Sequence, residues 1–154
     1  MDYWDNKLIR KQLDKKLSQL KPLLNLPVPK EGWIRTIRKA LGMTTYDLAN
    51  EVGVDQSRIS RIEASEAKGE IKLSTLEKVA DSLGVKFVYG FVPKQDLEDI
   101  VREQAKKIAK KRLDRVDHSM KLELQGLSDK EKEEELNDLI EKILVEEPKN
   151  FWDK

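Results

Sequence analysis

A chain of 154 residues with 38% hydrophobic and 38% charged side chains suits one modest domain carrying helical extensions. Its net charge of +1 by itself says nothing for a polyanionic partner, no apolar run nears the roughly 18 residues of a membrane span, and the lack of cysteine excludes disulfides and thiolate metal sites. The opening residues Met1-Asp2-Tyr3-Trp4-Asp5 lack the basic and apolar regions of a secretory leader, so a cytoplasmic location is the expectation. Charge is unevenly placed. Residues 1–31 carry +3, 32–92 carry +1, 93–127 carry +2 and 128–154 carry −5.

Residues 5–21 read as an amphipathic helix with Leu8, Leu13, Leu17, Leu20 and Leu24 on one face. Pro22 and the run Leu26-Pro27-Val28-Pro29 then predict a stiff linker over 22–31. Four short helices follow. The first spans 32–41, with Trp33, Ile34, Ile37 and Leu41 inward, and ends at Gly42. The second, 45–52, starts with a Thr44/Asp47 capping box and ends at Gly53. The third, 56–63, is capped by Asp55, and the fourth, 74–83, by Ser74 with Glu77. The β-branched and aromatic run 85–92, closed by Pro93, predicts a strand. A lone strand needs a partner, and the same strand of a second copy is the economical one. Val85, Phe87, Tyr89 and Phe91 would then be the dimerising side chains. A helix over 94–117 contains Leu97, Ile100, Val101, Ile108, Leu113 and Val116. A last one over 129–146 opens on a Ser128/Glu131 box and carries the stripe Leu136, Leu139, Ile140, Ile143, Leu144. The expected organisation is an N-terminal helix and linker (1–31), a central domain with its strand (32–92) and a helical extension (93–154).

Thr44 to Glu63 reads TTYDLANEVGVDQSRISRIE. Two helices joined by a very short turn need a small residue where they cross, and Ala49 supplies it. The turn needs positive φ, and Gly53 supplies that. Leu48, Val54, Ile59 and Ile62 point back to a core. Gln56, Ser57, Arg58, Ser60 and Arg61 stay outward, which an ordinary helical hairpin gives no reason to keep. This is the pattern of a helix-turn-helix.

Residues 32–84 resemble the lambda-repressor/Cro (XRE) family of DNA-binding domains. The resemblance implies a mainly α fold: a five-helix domain, here followed by a short dimerising strand and flanked by helical extensions. It implies that Thr45, Gln56, Ser57, Ser60 and Arg61 meet DNA, with Gln suited to adenine and Arg to guanine in the major groove. Thr44 and Thr45 would hold phosphate through hydroxyl and backbone N–H groups. Arg38 and Glu63 match an orienting ion pair of the family. The segment from Ala64 to Lys72 departs from the family as a longer connection, from which Lys68 and Lys72 either reach phosphates or stay solvated. The whole chain, closely over residues 20–120 and more loosely beyond, from Leu20-Lys21-Pro22-Leu23-Leu24 through Gly32-Trp33-Ile34-Arg35 to Phe91-Val92-Pro93-Lys94, also resembles the narrower "mobile mystery protein A" family, regulators encoded beside a Fic-domain partner. That resemblance implies an operator-binding homodimer acting as the antitoxin-like partner of a Fic-type toxin. The alternative is a stand-alone repressor whose extensions only dimerise.

The remaining signals have two readings each. Seven basic and two acidic residues between Arg102 and Arg115 suit either a phosphate backbone or solvent. Ser119 and Glu123 share the spacing of a Fic-inhibitory helix, although Leu124 stands where that pattern has Gly or Asn. Phe151 and Trp152 suit either a partner's pocket or the chain's own helices. One histidine, His118, with no cysteine supports neither a metal site nor a catalytic triad. No enzyme activity, cofactor or membrane association is expected.

Overall fold

Helix-forming runs separated by proline-bearing connections produce two compact units, described in a computed structural model over residues 2–115, 122, 123 and 125–153. One unit joins residues 1–24 to 91–154, and the other spans 25–90. The N-terminal segment therefore belongs with the C-terminal helices, and the middle of the chain forms a unit of its own. In chain order the helices are α1 (Tyr3–Leu17), a 3-10 helix (Ser18–Asn25), α2 (Trp33–Ala40), α3 (Thr45–Val52), α4 (Gln56–Lys68), α5 (Leu73–Ser82), α6 (Leu97–Asp114) and α7 (Asp129–Glu146).

The 25–90 unit is built from α2 to α5 around Ile34, Leu48, Ala49, Val52, Ile59, Ile62, Val79 and Leu83, all buried, with Ile37, Met43, Val54, Ile71 and Leu76 packed against them. Leu48 and Ile59 are wholly enclosed. Each contributes about 1.5–3 kcal/mol of burial free energy. Trp33 and Leu41, expected inward, lie exposed on the outer flank of α2. This unit has four α-helices, one fewer than the resemblance implies. The expected strand at 85–92 is not formed: no described residue is in a strand, because a strand's backbone groups need a second strand and one chain supplies none.

Two boundaries moved for reasons of capping. The expected box at Ser74/Glu77 gives way to a start one residue earlier, with Lys72 at the N-cap position and no side-chain cap. The expected loop after residue 63 is instead five more residues of α4, which ends at Gly69. That extension delivers Glu66 to the start of α2. Its carboxylate accepts from the backbone N–H groups of Trp33 and Ile34, the latter at 3.1 Å. A carboxylate there satisfies donors that the helix itself leaves orphaned, and it favours the positive end of the helix dipole. Gly32 makes this possible. Its φ is +85°, and a Cβ there would meet the Glu66 carboxyl carbon at 3.0 Å. Glu66→Ala is therefore expected to destabilise this unit by about 1–2 kcal/mol, within the range for loss of a helix cap. Urea denaturation should show the loss, with Glu66→Gln retaining part of it.

In the other unit α6 and α7 pack through Ala105 and Ala109, both fully buried, against Ile140, Ile143 and Leu144, with Tyr3 and Phe151 completing the core. Small residues on α6 let the two axes approach closely. Helix α1 docks by polar groups rather than by its leucines. The Asp14 carboxylate accepts from the N–H of Leu97 at 2.7 Å, capping α6 from another helix, and Arg10 Nε donates to Glu98 at 2.7 Å. Of the five leucines expected on one face, Leu8, Leu13 and Leu24 are exposed and Leu17 and Leu20 are half-buried. Val116, His118 and Ser119 lie outside the described residues.

Candidate nucleic-acid interface

The site begins with the caps that fix α3 and α4. The Thr44 hydroxyl accepts from Asp47 N–H at 3.1 Å, and the Asp47 carboxylate accepts from both the Thr44 N–H and its hydroxyl at 2.7 Å. Helix α3 then runs to Gly53, whose φ of +81° reverses the chain and lets its N–H donate to Ala49 at 2.9 Å. A Cβ-bearing residue is strained in that left-handed region. The Val54 N–H donates to the same carbonyl at 3.0 Å, closing the turn. Asp55 starts α4 by accepting from Arg58 N–H at 2.9 Å. Ala49 is 2% exposed, small where α3 and α4 pack together.

With α4 held, its inner face is Ile59, Ile62 and Glu63, all buried, and its outer face carries Gln56, Ser57, Arg58, Ser60 and Arg61, all exposed. Ser57, Arg61 and Lys68 fall at i, i+4 and i+11, which places them along one face over roughly 16 Å. Lys68 thus stands on α4 and not on a loop, while Lys72 precedes α5. Side chains of this face are held by local bonds. Gln56 Nε2 donates to the Thr45 hydroxyl at 2.6 Å, and the Ser57 hydroxyl donates to Asp55 at 2.6 Å. The Thr44 N–H and hydroxyl both donate to the Asp47 carboxylate.

Behind the face lies the Arg38–Glu63 pair. Arg38 Nε donates to Glu63 at 2.5 Å and Nη2 at 3.2 Å, while Nη1 donates to the Met43 carbonyl at 2.9 Å. Both side chains are under 10% exposed. The Glu63 carboxylate raises the Arg38 pKa above its ordinary value, chiefly by accepting its hydrogen bonds. The pair joins α2 to α4 and fixes how α4 sits on the core.

Two carboxylates beside the face titrate below their usual range. Asp47 is lowered first by the Thr44 hydroxyl and then by the Thr44 N–H. Asp55 is lowered first by the Ser57 hydroxyl, then by the Arg58 N–H and by the charges of Arg61 and Arg58. A depressed folded-state pKa gives stability that is present above the unfolded carboxylate value of about 4 and is lost as pH falls through the folded value. The caps of α3 and α4 should therefore loosen only in acid. Thermal melts from pH 7 downward should hold their midpoint until about pH 4 and then fall. Asp55→Asn, which keeps a capping oxygen without a titrating group, should make that fall shallower; an unchanged acid limb would refute the linkage.

The other expected contact residues are dispersed. Val85, Tyr89 and Phe91 are exposed, and Phe87 is half-buried and stacks on Tyr89 with ring centroids 6.2 Å apart. Glu123 is exposed. Phe151 is a core residue at 9% exposure, so it is unavailable as an anchor, whereas its neighbour Trp152 is 61% exposed. On α6, Arg102 pairs with Glu141 at 2.6 Å and Arg112 approaches Glu146 at 3.6 Å. The acidic α7 thus meets part of the basic α6 face. Sequence reasoning missed Glu66 and Asp14 as caps. A signal for the longer helix that carries Glu66 existed, since Ala64 to Lys68 are followed by the helix-ending Gly69, but none for its distant partner. For Asp14 none did, because its helix partner is 83 residues away.

A short-turn helix pair with a polar outer face and a buried ion pair behind it is the geometry of a helix-turn-helix. Residues 34–89 match the family described as Helix-turn-helix. The match covers little more than a third of the chain. No curated protein matched. No solved structure matched either. The wider resemblance over residues 20–120 has no counterpart among these matches. Among the described residues no helix is long and apolar enough to cross a membrane, and no His, Cys, Asp or Glu cluster suits a metal ion.

Proposed function

We propose that this chain is a sequence-specific transcription regulator that binds its operator as a dimer and represses its own promoter. The observation that carries the reading is the outward set Gln56, Ser57, Ser60 and Arg61 on a helix whose opposite face is fixed by Ile59, Ile62 and the Arg38–Glu63 pair. Gln and Arg can each make bidentate bonds to a purine in the major groove. Arg58, Lys68 and Lys72 supply phosphate contacts that set register. With so few exposed cations near the face, the log–log dependence of affinity on salt should have a slope no steeper than about −4 per domain.

Dimerisation by residues 85–92 is the second part of the reading. Val88, Tyr89 and Phe91 are 70%, 73% and 85% exposed, a run of β-prone side chains that one chain leaves uncovered. Antiparallel pairing with the same run of a second copy would satisfy its backbone and cover these side chains. The finer assignment, an antitoxin-like partner of a Fic-type toxin, is supported by the sequence resemblance over residues 20–120. No catalytic role or cofactor is part of it.

The test is binding of the purified chain to the DNA upstream of its own gene at fixed salt, against a scrambled competitor, with sedimentation to give the stoichiometry. Preferential binding of two chains per site is expected. Equal binding to both DNAs would overturn the reading. Co-purification with the neighbouring gene product separates the antitoxin assignment from a stand-alone repressor.

A further inference from the structure

Helix α6 divides its cations between two faces. Its arginines turn toward α7, where Arg102 meets Glu141 at 2.6 Å and Arg112 approaches Glu146 at 3.6 Å. Lys107, Lys110 and Lys111 are exposed, and none of them makes an ion pair among the described residues. These lysines border an open groove of about 610 Å³ that α6 forms with the chain after α7. Gln104 and Ile108 line it from α6, and Trp152 and Asp153 from the other side.

Trp152 is the side chain of this groove that the core does not use. It is 61% exposed, whereas its neighbour Phe151 is buried. Its backbone is held all the same. Gln104 Nε2 donates to the Phe151 carbonyl, and the N–H groups of Phe151 and Asp153 donate to Pro148 at 2.9 Å and Asn150 at 3.1 Å. The Phe151 ring stands edge-on to the indole, with centroids 5.1 Å apart. An exposed aromatic on a fixed backbone offers a flat face to a ligand at little cost in conformational entropy.

We propose that this groove binds a single-stranded stretch of nucleic acid, with a base stacked on Trp152 and the neighbouring phosphates on Lys107, Lys110 and Lys111. Every base has a π face, so an indole accepts any of them, and a positive groove beside such a platform is the usual form of a strand-binding surface. Lys107 and Lys111 lie one helical turn apart on the same flank, about 6 Å along the axis. The kind of cation selects phosphate over carboxylate. A guanidinium fork matches a carboxylate, and the arginines of α6 are the residues that meet the glutamates of α7; an ammonium is a point charge that serves a phosphate from many directions. Asp153 lines the groove, and Glu103 and Asp114 lie four residues from Lys107 and Lys110 on the same helix. These carboxylates weaken the attraction for phosphate alone, so affinity needs the base as well. A duplex keeps its base faces inside the stack, so the groove prefers an unpaired strand. The assignment concerns the helical unit alone and does not rest on the helix-turn-helix reading.

Fluorescence anisotropy of the full chain with a short labelled oligothymidylate tests this, against an abasic deoxyribose-phosphate chain of equal length and a glutamate-rich peptide carrying one phenylalanine. The oligothymidylate should bind about tenfold more tightly than the abasic chain, with a log–log salt slope near about −2 for three lysines. Trp152→Ala should reduce its affinity to that of the abasic chain, and Lys107→Gln with Lys111→Gln should reduce the slope to about −0.7. In a chain carrying Trp4→Phe and Trp33→Phe, the emission of Trp152 should be quenched by the single strand and not by a duplex of unrelated sequence. Equal binding of oligothymidylate and abasic chain by the unaltered protein, an affinity untouched by Trp152→Ala, or equal quenching by the duplex would overturn the inference. Tighter binding of the peptide, lost in Trp152→Ala, would overturn it too and assign the groove to an acidic protein. The comparison within the unaltered chain stands even if a variant fails to fold. None of these oligonucleotides contains the operator, so failure here leaves the helix-turn-helix reading as it stands.

Discussion

Arg38→Ala is expected to destabilise the 25–90 unit by about 3–5 kcal/mol, a large part of the roughly 5–15 kcal/mol that holds a typical domain together. Glu63 is 5% exposed and takes both of its close hydrogen bonds from Arg38. Without the guanidinium a carboxylate would be left buried and under-solvated, and the Met43 carbonyl would lose its donor. The cost comes from the orphaned charge more than from the lost attraction, so replacing both partners by apolar residues should restore much of the stability. Arg35 provides the internal control. It lies 3.6 Å from the same carboxylate but is half exposed, and Arg35→Ala should cost less than about 1 kcal/mol. Urea denaturation of both variants, followed by helical circular dichroism, measures the difference. Equal effects would mean that Glu63 is solvated and the pair does not orient α4.

Gln56→Ala with Arg61→Ala should remove sequence discrimination while leaving the fold intact. Each side chain can make a bidentate base contact worth about 1–3 kcal/mol, so the pair would account for roughly a 30- to 20,000-fold preference for the operator over scrambled DNA. Both positions are exposed, and neither supports the core. Gln56 must first release the Thr45 hydroxyl, so Thr45→Val should alter affinity through Gln56 and not independently. Lys68→Ala should behave differently, weakening all DNA alike and reducing the salt slope by about 1. Competition binding at fixed salt, followed by a salt titration, separates these outcomes. Discrimination that survives the double change would move recognition away from α4.

The parts of the fold legible in the sequence were those written by local rules. The Thr44/Asp47 and Ser128/Glu131 boxes, Gly53 and the apolar spacing of α7 are short-range signals, and the helices they bound are where those signals place them. The outward set on α4 was legible for the same reason. Long-range partners were not. Glu66 reaches α2 across 32–33 residues and Asp14 reaches α6 across 83–84, and nothing near either residue encodes the distant N–H groups they accept from. The leucines of α1 misled because periodicity tells which residues share a face but not which face meets a neighbour, and here ion pairing through Arg10 chose the other one. The run at 85–92 has strand composition without a strand, since composition supplies propensity while pairing needs a second backbone. Phe151 was ambiguous because a tail aromatic suits its own core as well as a partner's pocket.

Contact of DNA with α3 and α4 is measured most directly by the change in backbone amide chemical shifts when the upstream DNA is added to isotope-labelled protein. The largest changes are expected at Thr45, Tyr46 and Gln56 to Arg61, with smaller ones at Lys68 and Lys72. Changes confined to the exposed lysines of α6, Lys107, Lys110 and Lys111, with α4 unmoved, would contradict that contact.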